Sequence, residues 1–230
     1  MKRLKSKTSY IIIVIVIYTV QCSTLWISHK YSLPIYFWRI SWMIILLCVF
    51  CITWLLFKKE IWKALGLIKG KVNCRVIIKS IWIGVIFGFI SNALLIILLP
   101  HGTPLKGGSQ MSYLLSLILI GPIFEELLFR GFMQGMLERC FRVKNKIFYI
   151  LPVFITTIMF AGSHVFGFSQ TMEVTQFIIA ISLVSLTGLY AGWLRLQYQS
   201  IITAVIFHSC VNIGIILSGI FLLFYGYTQI

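Results

Sequence analysis

The chain has 230 residues, of which 60% are apolar and 11% are charged, and its mean hydropathy is +0.98. Soluble domains carry a charge on about a quarter of their residues, so this composition excludes an ordinary soluble fold. Twenty residues are Lys or Arg and only five are acidic, all of them Glu, so mechanisms that need an Asp, such as an intramembrane aspartyl protease, a Ser-His-Asp triad or an aspartyl-phosphate pump, are excluded as well.

Apolar stretches long enough to cross a bilayer follow one another along the sequence. A transmembrane helix needs ~20 mostly apolar residues. Seven stretches meet this requirement, at about 9–27, 35–57, 76–99, 111–135, 147–166, 175–193 and 201–224. We therefore predict an all-α fold, a polytopic membrane helix bundle of about seven transmembrane helices. Residues 1–230 would form a single integral membrane domain, with three spans in 1–110 and four in 111–230.

The first stretch has a second interpretation as a signal peptide. Basic residues precede an apolar run, and Cys22 could suggest a lipoprotein site. However, Gln21 is a poor residue before a lipidated Cys, and no small-x-small cleavage signal follows. We expect the first span to be retained.

Basic residues are concentrated in alternate loops. Fifteen of the twenty lie on the side of the N-terminus, and they are Lys2, Arg3, Lys5, Lys7, Lys58, Lys59, Lys63, Lys69, Lys71, Arg75, Arg139, Arg142, Lys144, Lys146 and Arg195. Loops rich in Lys and Arg face the cytoplasm. The pattern predicts a plasma-membrane protein with a cytoplasmic N-terminus and an external C-terminus. It also explains the positive charge by membrane topology and lipid contact, so we expect no nucleic-acid partner.

The fourth span contains three charged residues deep in an apolar run. Charged groups inside a bilayer cost ~2.5–3.5 kcal/mol each on insertion scales, and those that occur are mostly functional. Arg130 lies four residues after Glu126, so the two share a helix face and can pair. Glu125 points elsewhere, and a carboxyl group without its own cation suits a general base or acid. Gly121 and Pro122, one turn earlier, predict a kink that admits water.

Two His residues and an Asn fall within the later spans. His164 lies at the end of the fifth span, and His208 and Asn212 share a face of the seventh. Polar groups inside a helix bundle are expected to contact one another. His164 comes to a depth similar to that of Glu125 if the fifth span starts near Pro152, so we predict that residues 141–150 form an interfacial segment.

Three motifs now stand in order on successive spans. They are Glu-Glu-x-x-x-Arg at 125–130, Phe-x-x-x-His at 160–164 and His-x-x-x-Asn at 208–212. Together they resemble the CPBP family, which comprises the CAAX prenyl-protein endopeptidases and the bacteriocin-processing or immunity proteins called Abi. The resemblance covers about residues 114–216, and the first three spans carry no motif.

The resemblance implies a glutamate-dependent intramembrane endopeptidase without a cofactor. In that family the first Glu activates the attacking water together with the His of the second motif. Carried over, Glu125 and His164 would activate water, His208 and Asn212 would form the oxyanion hole, and Glu126 and Arg130 would support them. The substrate would be a membrane-associated peptide or protein cut near the cytoplasmic face. We expect leader-peptide, bacteriocin or pheromone processing, or self-immunity, in preference to prenyl-protein processing.

Three alternatives remain open at this point. Glu125, His164 and His208 could be the ligands of a catalytic zinc ion with one open position, although the sequence has no His-Glu-x-x-His motif. The protein could be a non-proteolytic membrane immunity or scaffold protein. It could also be a proton-coupled transporter, although the spans show no internal repeat.

Overall fold

The computed structural model describes residues 7–33, 35–68, 70–98, 115–141, 146–168 and 173–224. Helices account for 91% of these residues, and none of them is in a strand. The helices are α1 (Lys7–Lys30), α2 (Ile35–Phe57), α3 (Ile61–Ala64), α4 (Cys74–Leu98), α5 (116–140), α6 (Lys146–Phe168), α7 (Val174–Tyr198) and α8 (Ile202–Phe224). The predicted all-α fold is confirmed.

The predicted spans correspond to helices of three kinds. Five helices of the described part are long and apolar enough to cross a membrane, at Lys7–Lys30, Ile40–Phe57, Cys74–Ile96, Val174–Tyr198 and Ile202–Leu222. A sixth, Ile150–Phe166, is apolar but shorter. The fourth predicted span corresponds to α5, which is interrupted by changes of helix type. Its first residues, 111–114, lie outside the described residues, as do Lys2, Arg3, Lys5, Lys69, Arg142 and Lys144.

Local sequence explains where several helices begin and end. α4 begins where the Asn73 side chain accepts a hydrogen bond from the Val76 amide at 3.0 Å. α7 begins with a capping box formed by Glu173 and Gln176, and it ends at Tyr198, directly before Gln199, whose φ of 55° is left-handed. The sequence predicted a start of the fifth span near Pro152. Helix α6 instead begins at Lys146 and continues through that proline.

Helix α5 consists of four consecutive segments of different winding. Ser116–Ile120 is π-helical, Gly121–Glu125 is α-helical, Glu126–Met133 is π-helical and Gln134–Cys140 is α-helical. Pro122 lies in the first turn of its α-helical segment, where a residue without an N–H is tolerated. The kink that Gly121 and Pro122 predict stays a prediction, and the sequence did not predict the π-helical segments, which occur frequently at functional sites.

Helix α5 lies in the middle of the bundle, in contact with α1, α2, α6, α7 and α8. Its Phe129, Phe132 and Met133 are fully buried in a core that also includes Val14 of α1 and Val49 of α2. A second, smaller core joins α7 and α8. The outward faces carry large exposed apolar side chains, which suits contact with lipid. The most central helix therefore carries the first motif.

Helices α4 and α8 lie close enough for their backbones to touch. A Cβ added at Gly84 would lie 2.5 Å from the Phe207 carbonyl oxygen, and one added at Gly88 would overlap the Val211 carbonyl. The same holds for Gly214 of α8 against the Val85 carbonyl. Small residues that allow such an approach are typical of packed membrane helices.

Candidate active site

The residues of the three motifs meet between α5, α6 and α8. Glu126 and Arg130 lie in the second π-helical segment of α5, and both are completely buried. Arg130 Nε lies 3.3 Å from Glu126 Oε2, so the predicted ion pair is present. Neither of these two atoms has a well-aligned hydrogen bond among the described residues, which makes the contact an ion pair without a directed bond. A buried pair of this kind requires further contacts to offset the loss of hydration.

Two contacts of Arg130 besides that with Glu126 reach neighbouring helices. Its Nη2 donates a hydrogen bond to the Gly188 carbonyl of α7 at 3.1 Å. Its guanidinium carbon lies 4.2 Å from the centroid of the Phe160 ring, within the range of a cation–π interaction. Arg130 therefore connects α5 to both α6 and α7.

His208 lies between the two carboxyl groups. Its Nδ1 is 2.9 Å from Glu126 Oε1, and its Nε2 is 3.7 Å from Glu125 Oε2. Because the carboxylate of the Glu126–Arg130 pair is an acceptor, Nδ1 is the donor in the shorter contact. The sequence predicted that His208 would contribute to an oxyanion hole, and it did not predict that this ring would link the two carboxyl groups.

The two carboxyl groups differ in accessibility. The side chain of Glu125 is 17% exposed, whereas that of Glu126 is fully buried. Glu125 is thus the more accessible of the two carboxyl groups, and Glu126 is held between Arg130 and His208. This division agrees with the separate tasks that helical spacing predicts for the two residues.

His164 is oriented by its own helix. Its Nδ1 lies 2.9 Å from the Phe160 carbonyl oxygen and 3.4 Å from Ser163 Oγ. A carbonyl oxygen only accepts hydrogen bonds, so Nδ1 carries the proton, and the lone pair of a neutral ring is on Nε2. An imidazole in this tautomer can accept a hydrogen bond or a proton at Nε2.

Phe160 is a site residue that the sequence analysis did not select, although it begins the second motif. Its ring centroid lies 4.7 Å from that of His164 and 5.8 Å from that of His208, and both ring pairs are edge-on. The Arg130 guanidinium lies over the same ring. The signal was the Phe of Phe-x-x-x-His, four residues before the His, which places both rings on one face of α6.

Asn212 lies one turn after His208 on α8. Its Nδ2 donates a hydrogen bond to the Leu117 carbonyl at 2.7 Å, in the first π-helical segment of α5. This bond fixes the orientation of the amide group. A carboxamide nitrogen carries two N–H donors, so one bond to a carbonyl does not exhaust its capacity.

The proposed zinc ligands do not form a metal-binding group in this arrangement. Within the described ranges, which include Glu125, His164 and His208, no three His, Cys, Asp or Glu side chains are placed so that they could hold a metal ion. The zinc-dependent alternative therefore stays a prediction.

A comparison with protein families bears on this site. The family model described as type II CAAX prenyl endopeptidase Rce1-like matches residues 107–214, just under half of the chain. Residues 107–214 belong to this family, so the CPBP assignment is confirmed. All six predicted site residues lie within the match. The comparisons with curated proteins and with solved structures give no match.

The match makes residues 107–214 similar to CAAX-type proteases in general. The family and the apolar helices together identify a multi-pass membrane protein. The structure brings Glu125, Glu126, Arg130 and His208 into one cluster, with Phe160 joining His164 to it. The roles of these residues in catalysis remain predictions.

Proposed function

We propose that this protein is an intramembrane endopeptidase in which Glu125 activates a water molecule for attack on a peptide bond. The observation that carries the proposal is the position of His208 between the two carboxyl groups, 2.9 Å from Glu126 and 3.7 Å from Glu125. Two atoms 3.7 Å apart can both lie within hydrogen-bonding distance of one water molecule. Glu125 Oε2 and His208 Nε2 thus suit the binding of the water before the attack, and the Nε2–H donates to the oxyanion instead as that charge forms.

The reaction in this proposal proceeds in two steps. The Glu125 carboxylate takes a proton from the water while the water oxygen forms a bond to the peptide carbonyl carbon, with His164 Nε2 as a second acceptor for the water. The bond between carbon and nitrogen then breaks, and the proton on Glu125 passes to the departing amine. Glu125 returns to its carboxylate form, and no oxidant or reductant is needed.

The oxyanion formed in the first step requires hydrogen-bond donors. Asn212 Nδ2 and a protonated His208 supply them in this proposal, with Glu126 balancing the charge on the His208 ring. With His208 protonated, the cluster holds two carboxylates and two cations, the second cation being Arg130. Removing one such donor costs on the order of a hundredfold to a thousandfold in kcat in better-studied hydrolases.

The substrate that we propose is a membrane-associated peptide, such as a leader, bacteriocin or pheromone precursor, cut near the cytoplasmic face. An apolar groove between α2 and α5 supports a membrane-associated substrate, because Phe124 in its wall directly precedes Glu125. Met43 and Leu47 of α2 line the same groove. We also propose the plasma membrane as the location, with the N-terminus in the cytoplasm, on the basis of the alternating basic loops.

The test is cleavage by the purified full chain in detergent micelles and in liposomes, with products identified by mass spectrometry. One substrate set consists of leader peptides joined to a membrane anchor, and the other of farnesylated peptides ending in a CAAX sequence. We expect Glu125→Gln to lower kcat by about two to four orders of magnitude, and His164→Ala and His208→Ala to lower it strongly. Glu60→Gln is the matched control, because Glu60 is exposed and distant in sequence from Glu125.

Each alternative has its own outcome in this experiment. Full activity in all three site variants would reject the catalytic assignment. Loss of activity in strong chelator, with recovery on adding zinc, would favour the zinc-dependent hydrolase. Protection of cells that survives Glu125→Gln would favour a non-proteolytic immunity or scaffold protein. Cleavage of the farnesylated set alone would keep the mechanism and replace the proposed substrate class.

A further inference from the structure

Gln134 is a fully buried amide that the mechanism above does not use. It begins the last α-helical segment of α5, two turns from Glu126. Its Nε2 donates hydrogen bonds to the Gly192 carbonyl of α7 at 3.0 Å and to Glu138 Oε1 at 3.1 Å. A buried amide costs free energy unless it is hydrogen-bonded, so a polar residue here calls for a physical reason.

The same attachment occurs one turn earlier. Arg130 Nη2 donates to the Gly188 carbonyl at 3.1 Å, as Gln134 Nε2 does to the Gly192 carbonyl at 3.0 Å. Donors four residues apart on α5 thus bind acceptors four residues apart on α7. Two parallel attachments fix the sliding and the rotation of one helix on the other, which a single bond does not.

Glycines on α7 make room for these side chains. A Cβ at Gly188 would lie 3.1 Å from Arg130 Nη2, and one at Gly192 would lie 3.2 Å from Gln134 Oε1. Both distances are shorter than ordinary van der Waals contact. Gly188 and Gly192 are therefore a pair of acceptor sites.

A third polar contact between α5 and α7 lies at the end of the two helices that is nearer the basic loops. Glu138 Oε2 lies 3.4 Å from Arg195 Nη2, and Arg195 is 3% exposed. The loop residue Gly66, with φ of 69°, lies against Arg195, since a Cβ there would be 2.8 Å from Nε. Glu138 thus holds Gln134 from one side and Arg195 from the other.

We propose that Gln134, with Glu138 and Arg195, is a positioning residue that sets the register of α5 on α7 and thereby holds Arg130 and Glu126 against His208. The proposal rests on the endopeptidase function for its kinetic consequence. Arg130 binds the Gly188 carbonyl and Glu126 at the same time, so a shift of α5 along α7 moves the carboxylate that orients His208. A displacement of ~1 Å can cost about a hundredfold in rate.

The test compares two substitutions of similar length at Gln134 in the full chain. Gln134→Met keeps the volume and removes both donated hydrogen bonds, whereas Gln134→Lys keeps donors for the Gly192 carbonyl and Glu138. Gln197→Met, on an exposed position of α7, is the matched control. The readouts are kcat and KM on a peptide whose cleavage depends on Glu125, the unfolding midpoint, and the ¹⁵N signals of the His208 ring in micelles, assigned with His208→Gln.

We expect Gln134→Met to lower kcat by roughly tenfold or more at nearly unchanged KM, and to move the His208 ring signals. We expect Gln134→Lys to restore both toward the wild-type values. A packing role predicts the reverse order, because Met suits an apolar site and Lys does not. Wild-type signals in Gln134→Met, or disturbance by Lys equal to or greater than that by Met, would overturn the proposal.

The ring signals separate this proposal from the endopeptidase function. If no peptide is cleaved but the His208 signals move in Gln134→Met and return in Gln134→Lys, the positioning role stands and the protease assignment fails. If a peptide is cleaved in a Glu125-dependent manner, with kcat and ring signals unchanged in Gln134→Met, the protease stands and the positioning role fails.

Discussion

Where α4 meets α8, main chain lies against main chain; where α5 meets α7, long polar side chains of one helix bind the main chain of the other. The first interface depends on Gly84, Gly88 and Gly214, at which any Cβ would meet a backbone carbonyl. The second depends on Arg130 and Gln134, which reach carbonyls beside two glycines. Glycine thus serves close packing in one interface and access to an acceptor in the other.

The difference has a physical cause in the bilayer. Lipid tails are as apolar as Leu, so apolar contact alone gives little preference for one helix over another, and van der Waals fit and hydrogen bonds decide. The α4–α8 interface uses fit. The α5–α7 interface uses hydrogen bonds that also hold a charged group, and this is the interface next to the candidate catalytic carboxyl groups.

The largest effect is expected where a charge loses its partner. Arg130→Met leaves Glu126 buried beside His208 without its Arg partner, and we expect a loss of ~3–5 kcal/mol in the free energy of unfolding. Chemical unfolding in detergent micelles measures it. The double variant Glu126→Gln with Arg130→Met should recover much of the loss, since no uncompensated charge remains. A single variant as stable as the wild type would show that the pair does not stabilise the α5–α7 region.

A smaller effect is expected in the glycine interface. Ala has a higher helix propensity than Gly by ~1 kcal/mol, but the added methyl of Gly88→Ala would overlap the Val211 carbonyl. We expect a net loss of ~1–3 kcal/mol, as for overpacking elsewhere. The control is Gly162→Ala, whose Cβ would meet only the hydroxyl end of Tyr18. Equal stability of the two variants would contradict backbone contact between α4 and α8.

Gly192→Ala tests the acceptor role with a milder change. Its Cβ would lie 2.9 Å from Val153 Cγ1 and 3.2 Å from Gln134 Oε1, both in side chains that can shift. Helix propensity offsets part of the cost, so we expect a loss of only about 1 kcal/mol in unfolding free energy. Because the displaced side chain is Gln134, kcat should fall more than stability does. A loss of stability with unchanged kcat would place Gly192 with the packing glycines.

The smallest effect is expected for a single hydrogen bond in the α4–α8 interface. Asn92 Nδ2 donates to the Ile215 carbonyl at 3.1 Å. Such bonds between membrane helices average ~0.6 kcal/mol, so Asn92→Leu should lower the unfolding free energy by about that amount and leave cleavage unchanged. Ile90→Leu, at an exposed position of the same helix, provides the baseline. A loss of several kcal/mol would show that this interface also depends on polar contacts.

Local patterns predicted the helices and one contact of the site. The hydropathy profile located α2 at its observed bounds, and the spacing of four residues predicted the Glu126–Arg130 pair. Both are properties of a single helix, so the sequence of that helix is sufficient. The motif order and the family resemblance supplied the remaining site residues, but not their arrangement.

What the sequence did not predict depends on contacts between distant segments. His208 contacts Glu126, 82 positions away, and Asn212 binds a carbonyl that the π-helical segment of α5 presents. No spacing rule gives the rotation of α8 relative to α5, which follows from close packing of α8 on α4. The role of the Gly188 and Gly192 carbonyls was also hidden, because a glycine that gives access to a backbone acceptor has the same spacing as one that only allows close packing.

The backbone nature of those two acceptors gives the α5–α7 attachment an asymmetric tolerance of mutation. No codon change at position 188 or 192 can delete a carbonyl oxygen, so substitutions there act only through bulk. On α5, by contrast, single changes at Arg130 or Gln134 remove a donor outright. Substitutions at positions 188 and 192 of α7 are therefore limited by the size of the new side chain, and those at Arg130 and Gln134 of α5 by whether it can donate a hydrogen bond. Substitutions in α7 can change the attachment by degrees, whereas those in α5 keep or remove a bond.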